Sequence, residues 1–421
     1  MSLNSSKVLF HLHRPPFPTD GGDKQRLVGM LNYFRDRRSV LAVDGFGGNT
    51  RGRIEWTDRV TASLEPYINN FQYYRGEKNI PDFIYSRSKS FYYQKVLGQQ
   101  LPIDTDYFAP PNYVRYVKEL IQQEQYDYLW LNYIEYAALA IELKKQFNIK
   151  ILIDIHDLGC QGRLAIDDLE YLQKLKFDYR KNLIKEGKIL NKFDAVIVNS
   201  QVEKDILSSY IAANKLVLVP HLLDATINSD RIIPYNQRKF DYDLLFVGTG
   251  RSPNVNAVNF FLKEIFPKII EQKSDVTFAL VGSIERAIEV PKSLVKNTIV
   301  LGYVEDLASI YLSSRINICS LLKGAGTKVK LQEALAYGLP IVTTTIGASG
   351  LKLENDYNAY ITDEAQVFAT KTLLLLNNKQ LCQKFSAAAS LTFEENYAKE
   401  QIYKKLDSLF KINPLNRSIN I

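Results

Sequence analysis

Short apolar runs alternate with longer amphipathic segments along almost the whole chain of 421 residues. The apolar runs have the length of buried strands, and the segments between them show the three-to-four-residue spacing of helices. Strands that alternate with helices are typical of parallel sheets that are covered on both faces. The pattern therefore predicts an α/β protein.

The predicted elements form two series, which indicates two Rossmann-like domains. In the first series we place strands near Lys7–Leu12, Ser39–Asp44, Tyr128–Asn132, Ile151–Ile155, Ala195–Asn199 and Leu216–Val219. In the second series we place strands near Asp243–Val247, Thr277–Val281, Thr298–Leu301, Ile316–Ser320 and Pro340–Thr344. The clearest helices are Gly22–Arg37, Ile134–Phe147, Leu164–Leu190, Pro253–Glu271 and Lys328–Tyr337.

The boundary between the two series lies in Pro220–Lys239, which contains prolines and shows no clear period. We expect an N-terminal domain over 1–224 and a C-terminal domain over 225–394. The last helical pattern, within about 395–421, goes beyond what one sheet needs and is free to pack back on the first domain.

Composition narrows the class of protein and its location. A hydrophobic content of 46% with 24% charged residues is that of a globular protein. No apolar run reaches the roughly 20 residues that span a bilayer, and Met1–Ser6 lacks the core of a signal peptide. Cys160, Cys319 and Cys382 are far apart, so we expect buried thiols rather than a disulfide framework or a zinc site. These features predict a cytoplasmic protein.

The segment Phe71–Leu97 fits neither series, because it mixes tyrosines and phenylalanines with basic residues. Its first interpretation is an amphipathic insertion that covers the sheet. Contact with an acceptor or with the inner membrane face is an alternative. The net charge of +7 permits an anionic partner without naming one, and we expect no nucleic-acid partner.

The strongest chemical signal is the run Lys323–Val342, which begins just after a predicted strand. Gly324 and Gly326 let the backbone approach a ligand closely. A helix is predicted to begin near Thr327, and the free N–H groups at its start suit a diphosphate. Lys328 can add a full positive charge there, and Glu333, further along the helix, can accept hydrogen bonds from a ribose.

At these residues the chain resembles the C-terminal domain of the family 4 retaining glycosyltransferases. The resemblance continues in Phe246–Ala257, Leu301–Leu307 and Thr343–Gly350. It implies a GT-B fold, in which two Rossmann-like domains face each other across a cleft, and sugar transfer from a nucleotide sugar with retention. The donor-binding residues that it implies are Gly248, Arg251, Gly324, Ala325, Gly326, Thr327, Lys328, Lys330 and Glu333.

Two positions depart from the family pattern. The family commonly has two glutamates eight residues apart; Glu333 matches the second, but Ala325 stands at the first. Many members also place an Arg and a Lys in the first loop of this domain, where the chain has Thr249 and Val255. We expect Arg251, Lys328 or Lys330 to supply the charge instead.

The N-terminal domain carries weaker marks. Gly21 and Gly22, before the first helix, resemble glycines that approach the donor phosphates. His156 and Asp157 follow a predicted strand, where ligand crevices of α/β sheets form, and both are catalytic candidates. The resemblance implies a histidine at this strand end, close to the transferred sugar and the acceptor. His11 and His13 share one face of the first strand without a third ligand nearby, so we expect no metal.

The sequence therefore predicts a glycosyltransferase without a cofactor or metal, whose donor carries UDP or GDP. A glycan, a lipid-linked oligosaccharide and a small molecule all remain open as the acceptor. A nucleotide-sugar epimerase and a non-catalytic nucleotide-binding partner are alternatives, the second because of Ala325. A dinucleotide oxidoreductase is disfavoured, because residue 253, where a third glycine would follow Gly248 and Gly250, is a proline.

Overall fold

The computed structural model describes residues 6–17, 19, 21–37, 41–48, 56–75, 79–99, 101–103, 105–164, 177–223 and 232–410. The chain divides into two compact units, Met1–Leu222 with Tyr403–Ile421, and Leu223–Ile402. The expected boundary at Asp224 lies outside the described residues, as does much of the predicted helix Leu164–Leu190.

The first unit is built on a parallel sheet whose strands are ordered β3-β2-β1-β4-β5-β6-β7. Its strands are β1 (Ser6–Leu12), β2 (Leu41–Gly48), β3 (Asn70–Tyr74), β4 (Tyr128–Asn132), β5 (Lys150–Asp154), β6 (Ala195–Val198) and β7 (Leu216–Leu218). The strand order reverses between β1 and β4, and ligand sites of such sheets lie at this point, beyond the carboxyl ends of the strands.

The helices of the first unit pack around a core that includes fully buried β4 and most of β5. They are α1 (Gly22–Arg37), α2 (Asp58–Ala62), α3 (Ile80–Phe91), α4 (Pro111–Gln123), α5 (Ala137–Lys144), α6 (Gly159–Leu164), α7 (Tyr179–Leu190) and α8 (Gln201–Leu207). A single π turn, Tyr92–Val96, extends α3.

The second unit has a parallel sheet of order β10-β9-β8-β11-β12-β13. Its strands are β8 (Tyr242–Val247), β9 (Phe278–Val281), β10 (Thr298–Gly302), β11 (Ser314–Cys319), β12 (Ile341–Thr343) and β13 (Ala359–Ile361). Its helices are α9 (Ser252–Phe260), α10 (Phe266–Gln272), α11 (Leu307–Leu312), α12 (Val329–Ala336), α13 (Thr345–Ala348), α14 (Ala365–Asn377) and α15 (Lys379–Asn396). A π turn at Phe261–Ile265 joins α9 to α10, where the sequence predicted one helix.

The last described helix is α16 (Lys399–Phe410), and its final turns belong to the first unit. Asp407 accepts hydrogen bonds from Tyr33 Oη at 3.0 Å and from Arg37 Nη2 at 3.1 Å. The ring of Phe410 packs edge-on against the ring of Tyr128 at 5.2 Å. These contacts fix the end of α16 on α1 and β4.

The segment Phe71–Leu97 forms the edge strand β3, then α3 and its π turn. The interpretation as an amphipathic insertion that covers the sheet is wrong for Phe71–Tyr74, because β3 pairs with β2 as part of that sheet. Cys160, Cys319 and Cys382 are buried free thiols, as the sequence predicted. Within the described part of the chain, no helix combines the length and the apolarity that a membrane crossing requires.

Candidate functional site

The glycine-rich turn of the second unit follows β11 and leads into α12. Gly326 has φ +66° and Gly324 has φ +152°, backbone angles that side chains with a Cβ disfavour. The sequence placed the start of this helix near Thr327, but α12 begins at Val329 with Lys328 as its N-cap. The buried Lys328 turns back on the loop, and its Nζ donates to the carbonyl oxygen of Gly326 at 2.6 Å and of Ala325 at 3.4 Å.

Lys330 connects this turn to the loop after β8. Its Nζ donates to Asn254 Oδ1 at 2.7 Å and lies 4.0 Å from the centroid of the Phe246 ring. Asn254 in turn donates from Nδ2 to the carbonyl oxygen of Thr249 at 3.0 Å. Burial lowers the pKa of Lys330 to about 8, so this cation loses its proton at a much lower pH than an ordinary lysine.

The loop after β8 is held by the neighbouring strand β9. The Gly248 N–H donates to the carbonyl oxygen of Val281 at 2.9 Å. Gly282 has φ +101°, and a Cβ on it would lie 2.2 Å from the carbonyl oxygen of Gly248. Arg251 occupies the N-cap position of α9 and is exposed. The structure thus brings Gly248, Lys330 and the turn before α12 together at the carboxyl ends of the central strands β8 and β11.

Glu333 lies in the second turn of α12, and a buried tyrosine orients its carboxylate. Tyr311 Oη donates to Glu333 Oε2 at 2.8 Å and to the carbonyl oxygen of Lys330 at 3.2 Å. The Tyr311 ring stacks on that of Tyr337 at 5.1 Å. Burial, reinforced by the charge of Glu333, raises the pKa of Tyr311 far above its usual value, so its hydroxyl remains a donor.

Three rings meet beyond the carboxyl ends of β1, β4 and β5 in the first unit. The ring of Tyr133 stacks on that of His156 at 4.2 Å and meets that of His13 edge-on at 4.3 Å. Tyr133 has φ +70° and His156 has φ +58°, which is uncommon for residues other than glycine. Two neighbouring residues in this backbone region mark a candidate functional site.

Hydrogen bonds fix the proton position on His156. Asn132 donates from its amide nitrogen to the carbonyl oxygen of His11, which can only accept, so its Oδ1 faces His156. His156 Nε2 lies 3.0 Å from that oxygen and therefore carries the proton. Burial, with the charge of Arg26, holds the pKa of His156 well below its usual value, so the imidazole is neutral. Its Nδ1 is left as an acceptor without a partner among the described residues.

A buried ion pair supports the backbone at this histidine. Arg26 of α1 donates from Nε to both carboxylate oxygens of Asp154, at 2.9 and 2.8 Å, and from Nη1 to the carbonyl oxygen of Val219 at 3.0 Å. Asp154 Oδ1 also accepts from the backbone N–H of His156 at 3.3 Å. Helix α1 is therefore coupled through Asp154 to the left-handed conformation of His156.

The other candidate residues of the first unit differ in burial and hydrogen bonding. Gly21 accepts the first backbone hydrogen bond of α1, which begins at Gly22. Asp157 is exposed, in contrast to the buried His156 beside it. Burial lowers the pKa of His221 to about 3, as for His11. Among the described residues, no group of His, Cys, Asp or Glu has the arrangement of a metal site.

Two family models match the chain. The model described as glycosyl transferases group 1 matches residues 241–378, and the model described as glycosyltransferase family 4 matches residues 83–226. Together they cover β4 to β7 of the first sheet and the whole second sheet, and their matched segments contain His156 in one and Gly324 to Glu333 in the other. The chain belongs to the group 1 glycosyltransferases. It is an enzyme that transfers a sugar from a nucleotide-sugar donor.

Curated relatives of this glycosyltransferase are distant. An uncharacterized 44.6 kDa protein in the cps region of Klebsiella pneumoniae is 24% identical over 313 residues, which are 70% of this chain and 76% of the relative. Spore coat protein SA of Bacillus subtilis is 24% identical over 186 residues, which are 40% of this chain and 48% of that protein.

Solved structures share the GT-B fold along nearly the whole glycosyltransferase. HepE of Anabaena, in complex with UDP and glucose, has a TM-score of 0.62 at 14% identity, covering 97% of this chain and 100% of HepE. Sucrose-phosphate synthase of Thermosynechococcus elongatus has a TM-score of 0.65 at 16% identity, covering 96% and 98%. TarM of S. aureus, in complex with fondaparinux, alpha-GlcNAc-glycerol and UDP, has a TM-score of 0.66 at 13% identity, covering 96% and 100%.

Several residues of the two sites were not found from the sequence. Asn132 ends β4 and Tyr133 follows it, as His156 follows β5, so the position at the carboxyl end of a strand was a usable signal for them. Tyr311 and Asn254 have no comparable signal, because their roles depend on which helices pack against α12. The sequence also gave no indication that Arg26 and Asp154 pair across 128 residues.

Proposed function

We propose that this glycosyltransferase binds its donor through the turn Gly324–Lys328 and α12, and transfers a hexose with retention of configuration. The observation that carries the proposal is that Lys330, Glu333 and the glycine turn lie together at the carboxyl ends of β8 and β11. Hydrogen bonds from Lys330 to Asn254 and from Tyr311 to Glu333 fix the two side chains. The donor nucleotide is UDP or GDP, and no other cofactor or metal is invoked. The UDP in the HepE and TarM structures supports the choice of UDP.

The donor chemistry follows from charge and hydrogen bonding. The N–H groups at the start of α12, together with Lys328 and Lys330, stabilise the negative charge that grows on the leaving diphosphate. Glu333, oriented by Tyr311, accepts hydrogen bonds from the vicinal hydroxyls of the ribose. Ala325 contributes only main-chain groups near the sugar, and its carbonyl oxygen is already engaged by Lys328.

The acceptor belongs to the first unit in this proposal. His156 is neutral, and its Nδ1 is a hydrogen-bond acceptor. In the proposal this nitrogen accepts a hydrogen bond from a sugar hydroxyl, and the low pKa of the imidazole means that it does not keep the proton of that hydroxyl. Tyr133 and His13 hold its ring in place, and the exposed Asp157 lies beside it.

A glycan or lipid-linked acceptor fits a role in polysaccharide biosynthesis, which the relative in a cps region supports. An acceptor that is anchored in lipid requires an enzyme that works at the membrane surface. Peripheral contact with a membrane is therefore part of the proposal.

Calorimetric titration with UDP, GDP, ADP and their common sugar conjugates, followed by an assay of donor hydrolysis, tests the donor site. Selective binding of one nucleoside diphosphate supports the proposal and names the base. If no nucleotide binds to protein that is shown to be folded, the donor site is refuted.

A non-catalytic nucleotide-binding partner is the second candidate, because Ala325 replaces a carboxylate of the family pattern. The two functions differ in one measurement. An enzyme hydrolyses the donor or transfers its sugar. A non-catalytic partner binds the nucleotide but does not consume the donor, whichever acceptor is added.

A further inference from the structure

Helix α3 of the first unit turns its polar side inward. The residues of α3 that are buried are Asp82 and Ser86, one turn apart. A helix on the surface of a globular protein ordinarily buries its apolar stripe and exposes its polar face. The arrangement in α3 is the reverse and needs a physical cause.

Hydrogen bonds hold the polar face of α3 against its neighbours. Asp82 accepts from Tyr74 Oη at 2.6 Å and from the backbone N–H of Asn112 at 3.3 Å. Ser86 Oγ donates to the carbonyl oxygen of Tyr107 at 3.1 Å. Since these buried groups are satisfied, the orientation of the helix is fixed.

The opposite face of α3 is apolar and exposed. Ile80, Phe83, Ile84 and Phe91 are 68%, 52%, 59% and 64% exposed. Residues 80, 84, 87 and 91 are spaced by four, three and four positions, which places them on one side of a helix. We call Ile80, Phe83, Ile84, Arg87 and Phe91 the α3 stripe. Tyr92 and Val96, in the π turn that follows, are also exposed and apolar.

The charged side chains within the α3 stripe and in the π turn are positive. Arg87 lies within the stripe, with its guanidinium carbon 5.4 Å from the centroid of the Phe83 ring, and Lys95 is exposed in the π turn. Residues 79–99 contain one acidic residue, Asp82, and its side chain is buried on the opposite face of α3. An apolar surface with aromatic side chains and cations, and without an exposed carboxylate in those residues, complements an anionic interface.

We propose that the α3 stripe and the π turn Tyr92–Val96 dock this glycosyltransferase on an anionic phospholipid bilayer. The helix lies in the plane of the interface, with Phe83, Ile84 and Phe91 in the boundary between headgroups and acyl chains, while Arg87 and Lys95 contact lipid phosphates. This names the surface for the peripheral membrane contact of the proposed function. It does not depend on the identity of the donor.

A second copy of the chain is a poorer occupant of the same surface. A twofold pairing of the α3 stripe on itself would be isologous, so each stripe would face its own residues. Arg87 lies near the middle of the stripe, and the two guanidinium groups would approach each other with no carboxylate of residues 79–99 on that face. A bilayer with negative headgroups turns the same charge into an attraction.

Flotation of the purified full-length protein with lipid vesicles tests the proposal. We expect at least about tenfold stronger partition into vesicles of phosphatidylcholine with phosphatidylglycerol than into phosphatidylcholine alone, and weaker partition at high salt. The triple variant Phe83→Ser, Ile84→Ser, Phe91→Ser should lose about tenfold or more in partition. The double variant Arg87→Glu, Lys95→Glu should lose the preference for the anionic lipid.

A matched control removes exposed apolar side chains from the second unit. Val295 and Tyr303 are 56% and 76% exposed, and the variant Val295→Ser, Tyr303→Ser should bind vesicles like the wild type. Thermal unfolding shows whether each variant is folded. Nucleotide affinity is measured separately, by calorimetry without lipid. It also separates the two proposals, because vesicle binding without nucleotide binding overturns the donor site alone, and the converse overturns only the docking surface.

Three results would overturn the docking surface. The first is no partition of wild-type protein into either vesicle. The second is equal partition of the triple variant and the wild type. The third is a concentration-dependent dimer in sedimentation that the triple variant abolishes, which would make the α3 stripe an interface between copies of the chain.

Discussion

The imidazole of His156 lies 4.2 Å from the phenol ring of Tyr133 and nearly parallel to it, with 17° between the ring planes. Both residues have positive φ, and each follows the carboxyl end of its strand. A backbone of this kind costs about 1 to 3 kcal/mol per residue and persists only where the surrounding contacts determine it. Asn132, Asp154 and Tyr133 supply those contacts.

Replacement of His156 tests its role in turnover. His156→Ala should lower kcat by about a hundredfold or more, because it removes a positioned hydrogen-bonding group from the reacting hydroxyl. The affinity for the nucleotide should change little, since the proposed donor site lies in the second unit. In the wild type, kcat should show no titration of His156 near pH 6.5, because burial holds its pKa well below that value.

His156→Asn is the matched control, because asparagine tolerates positive φ better than alanine does. If it melts at the wild-type temperature and is as inactive as His156→Ala, the loss belongs to the imidazole and not to the backbone. Wild-type turnover in both variants would make His156 a structural residue.

Glu333 and Tyr311 form a pair that a double-mutant cycle can resolve. Glu333→Ala should weaken binding of the nucleoside diphosphate by about 1.5 to 3 kcal/mol, the usual magnitude of a hydrogen bond to a charged group. Tyr311→Phe should weaken it less, because the carboxylate remains but loses its 2.8 Å donor. The two effects should be non-additive, since Tyr311 acts through Glu333.

Calorimetric affinities of the wild type, both single variants and the double variant complete that cycle. Glu364→Ala, an exposed carboxylate of the same unit, is the control for a general change of charge. Additive effects within about 0.3 kcal/mol would separate Tyr311 from nucleotide binding.

The lowered pKa of Lys330 should make the affinity for the donor nucleotide depend on pH. Burial lowers its pKa to about 8, so its charge disappears as the pH rises past that value. Nucleotide affinity should therefore fall by up to about tenfold between pH 7 and 9. Lys330→Arg stays charged and should abolish the change, and the titration of the nucleotide itself cancels in the comparison. An identical pH profile for both proteins would exclude Lys330 as the titrating group.

The same group has the opposite effect on stability. The unfolded chain holds this proton with the usual pKa of 10.5, whereas the folded protein holds it with a pKa of about 8. The folded state therefore binds fewer protons between these values, and the contribution of Lys330 to the free energy of unfolding rises from pH 8 to 10.5. Below pH 8 the charged form opposes folding by its full amount.

The ion pair of Arg26 and Asp154 predicts an asymmetric effect on stability. Asp154→Asn leaves Arg26 buried without its counter-charge and should lower the free energy of unfolding by about 3 to 5 kcal/mol. The double variant Arg26→Met, Asp154→Leu should lose less than this, because neither charge remains buried. Denaturation followed by tryptophan emission measures the effect in the first unit, since Trp56 and Trp130 both lie there. A loss below about 1 kcal/mol for Asp154→Asn would contradict the prediction.

The sequence predicted the fold well where each strand is buried and flanked by turn residues. β4 and β8 were placed to within a residue, because an apolar run of that length has few alternatives. β3 was missed, since it is an edge strand of mixed polarity, and the edge strand β13 was missed as well. The polarity of α3 could not be predicted, because Asp82 and Ser86 face inward only through partners distant in the chain.

The candidate sites divide in a similar way. The glycine turn and Glu333 could be found because local spacing along one helix determines their arrangement. The direction of Lys328, which turns toward its own loop, is set by carbonyl groups whose orientation depends on the positive φ of Gly326. Tyr133 and Arg26 depend on contacts between strand ends and α1, and a pattern of apolar positions does not encode these contacts.

The final turns of α16 have a consequence for synthesis on the ribosome. Phe410 packs against Tyr128, and Tyr403 against Tyr33, yet Tyr403 and Phe410 are translated long after α1 and β4. Translation proceeds at about 5 to 20 residues per second, so the aromatic side chains of α1 remain uncovered for roughly 20 to 70 seconds before α16 is made. The nascent chain therefore exposes these aromatic side chains until α16 has been made. A ribosome that stalls before Tyr403 leaves a product for chaperones or proteases.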